Sequence, residues 1–277
     1  MRADRPSSTA TLIAMATLFV ARDRRFAQYV PPGAAELCAG CLTPGQRLLA
    51  HLRPLAWALE RATIPGLCLH FMLRKRWIEH AARSALARGA RAMVVLGAGY
   101  DTLAVRLAPE FPAVRFIEVY HPATLGVKRA ALTTPRNVRF VAADLTRTTL
   151  AAALAGVLGP EPSVFVAEGL LMYLSEAQVA ALFVAVHRLQ AAGGEFVFTV
   201  MEPPRDRTIR FHNATPLERV LLALWKEPFR SAVPRLELDA LLARHGFVLR
   251  EWADLAAMHL ELTVARGELV VHATRTA

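Results

Sequence analysis

The sequence predicts an α/β fold: a doubly wound, mostly parallel sheet of seven strands, Rossmann-like, preceded by helices. Residues 92–96 form a short, wholly apolar run, which is typical of a strand buried on both faces. Gly97 and Gly99 follow at once, and residues 102–107 then have helical character. A strand, a glycine turn and a helix together make a site where backbone can approach a ligand closely.

The seven predicted strands alternate with helices from residue 91 onward, which implies a parallel sheet with helices on both faces. Their bounds are residues 92–96, 114–119, 138–142, 164–167, 195–201, 247–252 and 268–274. Pro122 suits a first helical turn, and Ser175 with Gln178 forms a capping box for a helix over 176–190. The last two strands are joined by a connection without a clear helix, which favours an antiparallel partner at the sheet edge.

Residues 1–90 are predicted to be helical, with helices over 46–61 and 67–88 separated by Pro and Gly steps. No low-complexity linker follows them, so we interpret this part as a helical cap or lid on one domain. Residues 91–277 then form the main domain. A polar insertion at about 203–235 precedes the last strands and is predicted to contain a helix over 217–225.

The chain carries a net charge of +10, and its 54% of hydrophobic residues is ample for a core. Nearly all the basic residues are arginines, because the only lysines are Lys75, Lys128 and Lys226. Apart from small clusters at residues 22–25 and 74–76, the arginines are scattered. A nucleic-acid surface needs gathered charge interleaved with aromatic residues, so no nucleic-acid partner is expected.

Three cysteines are present, and Cys38 and Cys41 form a CxxC motif without a second CxxC or a CxxxH partner. Since the motif lies in a region rich in Pro and Gly, we expect free thiols and no metal site. Residues 11–20 are apolar but too short to span a bilayer, and Arg-Asp-Arg-Arg follows them. They are interpreted as a core-packing helix with Ser7, Ser8 or Thr9 as its cap. We therefore expect a cytoplasmic protein without a membrane partner.

Ligands of a doubly wound sheet lie across the carboxyl ends of its strands. Here four strand ends carry glycine or acidic residues, in the segments Gly97–Asp101, Glu118–His121, Asp144–Leu145 and Glu168–Gly169. An acid about 20 positions after the glycines suits a ribose diol, and Glu118 lies 21 residues after Gly97 (118 − 97). The alternation of side chains along the strand leaves open whether Glu118 points to the ligand or away from it.

The glycine turn lacks the features of a phosphate site. The third glycine of a dinucleotide fingerprint is replaced by Thr102, and no Gly-Lys-Ser/Thr sequence is present. A glycine turn with acids after successive strands but without a phosphate clamp favours a nucleoside-like ligand without phosphate. S-adenosylmethionine fits this description, because its sulfonium also gains from nearby carboxylates or aromatic faces.

Four motifs in this order resemble the leucine carboxyl methyltransferase family, and more closely its bacterial O-methyltransferase branch, over about residues 70–202. They are Leu96-Gly97-Ala98-Gly99-Tyr100-Asp101-Thr102, Phe116-Ile117-Glu118-Val119-Tyr120-His121-Pro122, Asp144-Leu145, and Glu168-Gly169-Leu170-Leu171-Met172-Tyr173-Leu174. Residues 6–10 also resemble the amino-terminal segment of that branch. The resemblance implies the class I methyltransferase fold and S-adenosyl-L-methionine as cofactor.

The resemblance also implies roles for residues at matching positions. Gly97, Ala98 and Gly99 would line the methionine end of the cofactor, and Glu168 would lie near its amino group. An arginine before the first strand would bind the cofactor carboxylate, and Arg74 and Arg76 are both candidates.

At the other end of the cofactor, Asp144 and Leu145 would frame the adenine. The family has Asp at the position of Tyr120, where the acid binds the ribose; a phenol cannot make the two acceptor contacts of a carboxylate. Asp101 either faces the cofactor or caps the helix beginning at Thr102. Tyr173 belongs either to the acceptor pocket or to the core.

The resulting hypothesis is methyl transfer to the oxygen of a carboxylate or hydroxyl on a small-molecule or peptide acceptor. A carboxylate needs no general base, and no convincing base is found, which favours a carboxylate. Two alternatives stay open: a nicotinamide-dependent oxidoreductase, and a cofactor-binding protein of this fold in which Tyr120 has impaired catalysis. The sequence identifies neither the acceptor nor the oligomeric state.

Overall fold

The computed structural model describes residues 7–145, 147–190, 193–204, 208–218 and 228–276. It contains the predicted seven-stranded sheet, with the strands β1 Ala92–Leu96, β2 Arg115–Tyr120, β3 Val138–Ala142, β4 Ser163–Ala167, β5 Glu195–Met201, β6 Phe247–Asp254 and β7 Glu268–Arg275. The bounds of β1, β3 and β5 are those that the apolar runs predict. The other four strands begin or end one or two residues away.

Helices precede the sheet and cover both of its faces. The α-helices are α1 Ser8–Ala21, α2 Ala34–Gly40, α3 Pro44–Leu49, α4 Arg53–Thr63, α5 Leu67–Ala87, α6 Leu103–Leu107, α7 Pro122–Ala131, α8 Leu150–Leu154, α9 Glu176–Leu189, α10 Leu238–Arg244 and α11 Leu255–Met258. Short 3₁₀ turns cover Ala27–Tyr29, Leu171–Tyr173 and Arg235–Glu237. Pro122 begins α7, and the capping box of Ser175 and Gln178 begins α9, as predicted.

The strand order is β3-β2-β1-β4-β5-β7-β6. All neighbouring pairs are parallel except those of β7, which runs antiparallel to both β5 and β6. The predicted antiparallel pairing is therefore present, with the reversed strand second from the edge. The order reverses between β1 and β4, and at such a point the connections leave in opposite directions and open a crevice at the carboxyl ends.

Alternating side chains of β1 belong to two different cores, one on each face of the sheet. Met93 and Val95 pack with residues of α5 and α6, whereas Val94 and Leu96 pack with residues of α8 and α9. All five residues of β1 are buried. This arrangement explains the unbroken apolar run, because a central parallel strand has no face toward water.

The amino-terminal helices correct two sequence predictions. One helix was expected over 46–61, but α3 begins at Pro44 and α4 begins at Arg53, with a turn between them. Thr43 and Gln46 form a capping box that starts α3 earlier than the apolar spacing indicates. Cys38 lies within α2 and Cys41 caps its end, although a loop was expected there. All three cysteines are free, as predicted.

The apolar run over residues 11–20 forms α1, and its side chains pack in the core as expected. Ser7 is the cap, and its side chain accepts a hydrogen bond from the Ala10 N–H at 3.2 Å. Among the described helices, none is long and apolar enough to cross a membrane. The predicted helix over 217–225 lies largely outside the described residues, and the division into 1–90 and 91–277 stays a prediction.

Gly66 is the residue just before α5, and its backbone conformation explains why this position is a glycine. Its φ is +81°, and a Cβ at this position would lie 2.5 Å from the Thr263 carbonyl oxygen. We expect Gly66→Ala to lower the free energy of unfolding by about 2–4 kcal/mol, because backbone strain and the clash add. Urea unfolding monitored by circular dichroism measures the change.

Gly45→Ala is the matched control, because nothing lies within 4 Å of a Cβ at Gly45. It should change the free energy of unfolding by less than about 1 kcal/mol. Equal effects of the two substitutions would contradict the assignment of Gly66 as a strained helix start.

Candidate functional site

A cavity of about 430 Å³ opens at the carboxyl edge of the sheet, where the strand order reverses between β1 and β4. The ends of β1, β2, β3 and β4 contribute to it, and α1, α5 and residues further along the chain, among them Tyr173 and Arg230, also line it. Within the described ranges, no group of three or more His, Cys, Asp or Glu could hold a metal ion.

The turn after β1 gives the cavity its backbone surface. Gly97 and Gly99 have φ of +67° and +52°, a conformation that side chains rarely adopt. A Cβ at Gly97 would also lie 3.0 Å from the Leu170 side chain. The turn is held by its own backbone, since the Asp101 N–H donates to the Ala98 carbonyl at 2.7 Å. These residues line the cavity, as the sequence predicts.

Two consecutive residues of α5 meet the strand-end acids beside the cavity. Arg74 contacts Glu168 with 2.9 Å between Nη2 and Oε1. The Lys75 ammonium lies 2.7 Å from Asp101 Oδ1 and 3.1 Å from Glu168 Oε1. All four side chains line the cavity, and none is exposed by more than 10%. The result is a mixed cluster of two cations and two anions at the glycine turn.

Asp101 both lines the cavity and contacts the start of α6. Its carboxylate lines the cavity, and its Oδ2 also accepts a long hydrogen bond of 3.4 Å from the Leu103 N–H at the start of α6. The contact with Lys75 is shorter by 0.7 Å (3.4 − 2.7), so the ion pair dominates its orientation. Asp101 therefore links the turn, α6 and α5.

A second layer of charges lies behind Arg74. Glu268 at the start of β7 contacts Arg74 Nη1 at 2.8 Å and His70 Nε2 at 2.5 Å. Neither Glu268 nor His70 is exposed to solvent, and Arg74 is only 2% exposed. Arg74 is thus held between Glu168 at the cavity and Glu268 behind it, which fixes its guanidinium in one orientation.

The ion pairs outweigh burial in setting the ionisation of this cluster. Burial alone would raise the pKa of the Asp101 carboxyl, but Lys75 and Lys128 lower it to about 2. Burial likewise opposes ionisation of Glu268, and Arg74 with His70 lowers its pKa to about 2. For Lys75, burial would lower the pKa, whereas Asp101 and Glu168 raise it above the ordinary value. These groups are therefore charged at neutral pH.

The ends of β2 and β3 form the other side of the cavity. Tyr120 lines it at the position where the sequence predicts an unusual ribose contact. A Cβ at Gly99 would lie 3.7 Å from the Tyr120 hydroxyl, so the phenol extends to the glycine turn. Asp144 and Leu145 also line the cavity, and His121 Nε2 lies 4.0 Å from Asp144 Oδ2.

Two predicted cofactor residues do not line the cavity. Glu118 lies two residues before the end of β2, inside the packed layer, and is fully buried against Lys128. Burial raises its pKa, although Lys128 opposes the shift. Arg76 donates to the Gln28 carbonyl at 2.9 Å and faces a separate cleft. Successive helical residues turn by about 100°, so Arg74 and Arg76 point in different directions.

Lys75 is the main cavity residue that the sequence analysis missed. It appeared there only as part of a basic cluster. The beginning of α1 was also missed, with Thr9, Ala10 and Ile13 in the lining. Arg230 joins them from the insertion. No local pattern in the sequence connects these segments.

Tyr173 lines the cavity beside these residues and also packs against a buried hydrophobic cluster. Its hydroxyl lies 3.5 Å from Thr9 Oγ1, and its ring centroid lies 5.7 Å from that of Phe229. Tyr173 therefore joins α1 to the insertion. A role in the acceptor pocket stays a prediction.

Solved structures similar to this chain define its fold as the Rossmann-like fold of class I methyltransferases. An O-methyltransferase family protein from Burkholderia thailandensis superposes with a TM-score of 0.52 at 14% identity, covering 93% of this chain and 64% of that chain. An S-adenosylmethionine-dependent methyltransferase from Mesorhizobium loti gives 0.50 at 20% identity, covering 70% and 96%. The fold class predicted from the sequence is confirmed.

The chain belongs to the leucine carboxyl methyltransferase family, whose model matches residues 9–187. Among its relatives, a protein of Parafrankia sp. strain EAN1pec is 31% identical over 188 residues, covering 66% of this chain and 59% of that protein. A Streptomyces coelicolor protein is 35% identical over 136 residues, covering 47% of each. Both carry the provisional name S-adenosyl-L-methionine-dependent methyltransferase. The chain spans about half to two thirds of the length of the curated relatives it matches.

Removing Glu268 should destabilise the protein and change its response to acid. Folding lowers the pKa of the Glu268 carboxyl from its ordinary value of 4.5 to about 2. The stability that this shift contributes is fully present above pH 4.5 and is lost as the pH falls through about 2. We expect Glu268→Gln to lower the free energy of unfolding at pH 7 by about 3 kcal/mol, because Arg74 loses one of its two buried partners. The variant should then lose less stability than the unsubstituted protein between pH 4.5 and 2.

Glu110→Gln is the control for this experiment, since Glu110 pairs with Arg83 at the surface and is 51% exposed. Its effect at pH 7 should be below about 1 kcal/mol. Urea unfolding at a series of pH values measures all three proteins. If the free energy of unfolding changed with pH in the same way for Glu268→Gln and for the unsubstituted protein, the assigned buried ion pair would be contradicted.

Proposed function

We propose that this chain is an S-adenosyl-L-methionine-dependent O-methyltransferase that methylates a carboxylate or hydroxyl of a small-molecule or peptide acceptor. The observation that carries the proposal is the cavity at the crevice between β1 and β4, where a glycine turn meets paired charges. Membership of the leucine carboxyl methyltransferase family supports it independently. When bound, the cofactor would supply an electrophilic methyl group on its sulfonium.

The charged cluster at the turn suits the amino-acid end of this cofactor. A zwitterion presents an ammonium and a carboxylate, and the cluster of Arg74, Lys75, Asp101 and Glu168 offers partners of both signs. Glu168 would hold the ammonium, and Arg74 with Lys75 would hold the carboxylate. The backbone turn at Gly97 leaves space for close approach, because neither Gly97 nor Gly99 presents a side chain.

The opposite end of the cavity suits the nucleoside. Asp144 and Leu145 would frame the adenine, the acid by accepting hydrogen bonds and the leucine by packing against the ring. Tyr120 would make one hydroxyl contact with the ribose where the family has an acid. No phosphate-binding sequence stands at the turn, which favours this nucleoside over a nicotinamide dinucleotide.

The acceptor would enter between α1 and the insertion, where Ile13, Tyr173 and Arg230 line the cavity. The role of these residues is to align the acceptor oxygen with the methyl group and to exclude water. A carboxylate oxygen is already ionised and needs no base, which favours a carboxylate over a hydroxyl acceptor. The Arg230 guanidinium would attract such an anion.

Calorimetric titration with S-adenosylmethionine, S-adenosylhomocysteine and NADH tests the proposal. We expect the two methionine-derived ligands to bind, and Gly97→Ala to weaken them by roughly tenfold or more, because a Cβ there strains the turn. Gly126→Ala is the control, since nothing lies within 4 Å of a Cβ at Gly126. It should leave the affinities unchanged.

The same samples are then incubated with methyl-labelled cofactor and a panel of carboxylic acids, peptides and phenols. A labelled product that base hydrolyses marks an ester, whereas a base-stable product marks an ether. Binding without any product would support a cofactor-binding protein with lost catalysis. Tight NADH binding without the methionine-derived ligands would instead support an oxidoreductase and overturn the proposal.

Replacement of Tyr120 tests how much the absence of an acid at this position lowers the affinity for the cofactor. We expect Tyr120→Asp to raise the affinity for S-adenosylhomocysteine by roughly tenfold, because a carboxylate accepts two hydroxyl hydrogen bonds from a ribose. Tyr120→Phe, which removes only the phenol hydroxyl, is the comparison and should not raise the affinity. Titration of both variants measures the change. Unaltered affinity in Tyr120→Asp would argue that Tyr120 does not occupy the ribose position.

A further inference from the structure

Five leucines on α3, α4 and the turn between them form an exposed apolar surface, which we call the leucine surface. Their exposed fractions range from 46% to 67%, for Leu48, Leu49, Leu52, Leu55 and Leu59. The described part of the chain has thirteen large exposed hydrophobic side chains, and five of them lie within the twelve residues 48–59. Single exposed leucines need no explanation, but a concentrated patch marks an interaction site.

The leucines cannot turn inward, because the opposite face of α4 already packs against the protein. Trp57 stacks on Phe19 of α1 with 4.5 Å between ring centroids. The indole of Trp57 donates to the Asp23 carboxylate at 3.1 Å. One turn further on, Glu60 accepts a hydrogen bond from the Cys68 N–H at 3.0 Å. These contacts fix the rotation of α4 about its axis, so the leucine surface stays exposed.

The exposed charges described on α3 and α4 have one sign. Arg47 and Arg61 are exposed on α3 and α4, and Arg22 contacts His51 in the turn between these helices at 3.4 Å. The only acid within residues 41–63 is Glu60, which is 8% exposed. The exposed part of α3 and α4 is therefore apolar along one stripe and cationic beside it, as in helices that lie on anionic bilayers.

We propose that the leucine surface docks on the anionic surface of a lipid bilayer, with α3 and α4 lying in the interfacial plane. The leucines would enter the boundary of the acyl chains, and the arginines would contact the lipid phosphates. Docking on a second copy of the chain is disfavoured, because a twofold interface would bring like-charged arginines together. The proposal departs from the sequence expectation that no membrane takes part.

This docking does not depend on the proposed methyl transfer. None of the five leucines lines the cavity, and neither Arg47 nor Arg61 does. Lipid binding and cofactor binding can therefore be measured separately on the same protein. Loss of either one leaves the other interpretable.

Cosedimentation of the full chain with vesicles tests the proposal. The protein should bind vesicles of phosphatidylcholine with phosphatidylglycerol, bind pure phosphatidylcholine weakly, and dissociate as the salt concentration rises. The triple variant Leu52→Gln, Leu55→Gln, Leu59→Gln should bind at least about tenfold more weakly, since its apolar insertion is removed. Arg47→Gln with Arg61→Gln should weaken only the binding to anionic vesicles.

The control is a triple variant of other exposed apolar residues, Leu236→Gln, Val248→Gln and Leu260→Gln. It removes the same number of exposed side chains and should bind as the unsubstituted protein does. Circular dichroism and thermal unfolding confirm that each variant is folded. The proposal would be overturned if both triple variants lost vesicle binding equally, or if the unsubstituted protein did not bind anionic vesicles. A dimer in solution that the leucine variant converts to a monomer would also overturn it.

Discussion

The buried ion pairs of Arg74 connect the amino-terminal helices to the sheet. Arg74 lies on α5, the last helix before the sheet, and contacts Glu168 after β4 and Glu268 at the start of β7. A guanidinium buried in this way is stable only if its partners are present, so the position of α5 against the sheet depends on both acids. Because Glu168 and Lys75 also line the cavity, the same contacts orient the helix and shape the site.

A second buried pair anchors the glycine turn from the other side. The Lys128 ammonium on α7 donates to the Glu118 carboxylate and to the Asp101 carbonyl. The Lys128 side chain is fully buried. Asp101 is thus held by Lys75 through its carboxylate and by Lys128 through its backbone. The backbone of the turn also forms hydrogen bonds, such as that from the Asp101 N–H to the Ala98 carbonyl. The two lysines add side-chain contacts to the rigidity that a preorganised ligand site needs.

The sheet could be predicted from the sequence because β1 at its centre is an unbroken apolar run, as a strand buried on both faces requires, and the strands that follow alternate with helices. The cavity could be predicted only in part. The acids at the strand ends face it by topology alone, whereas the choice between Arg74 and Arg76 depends on the rotation of α5 about its axis. That rotation is set by ion pairs with Glu268, 194 residues away, which no local pattern contains. The sequence likewise does not show that Glu118 lies inside the packed layer, two residues before the end of β2.

Tyr120 can be understood from the charges beneath it. Side chains of β2 alternate, so Tyr120 and Glu118 point to the same face of the sheet, and Tyr120 is only 9% exposed. An acid at this position would be a second nearly buried carboxylate beside Glu118, whose pKa burial already raises. Lys128 is shared between Glu118 and the Asp101 carbonyl and could not neutralise both acids. A phenol avoids that desolvation cost but gives up the two acceptor contacts of a carboxylate, so stability and ribose recognition oppose each other here.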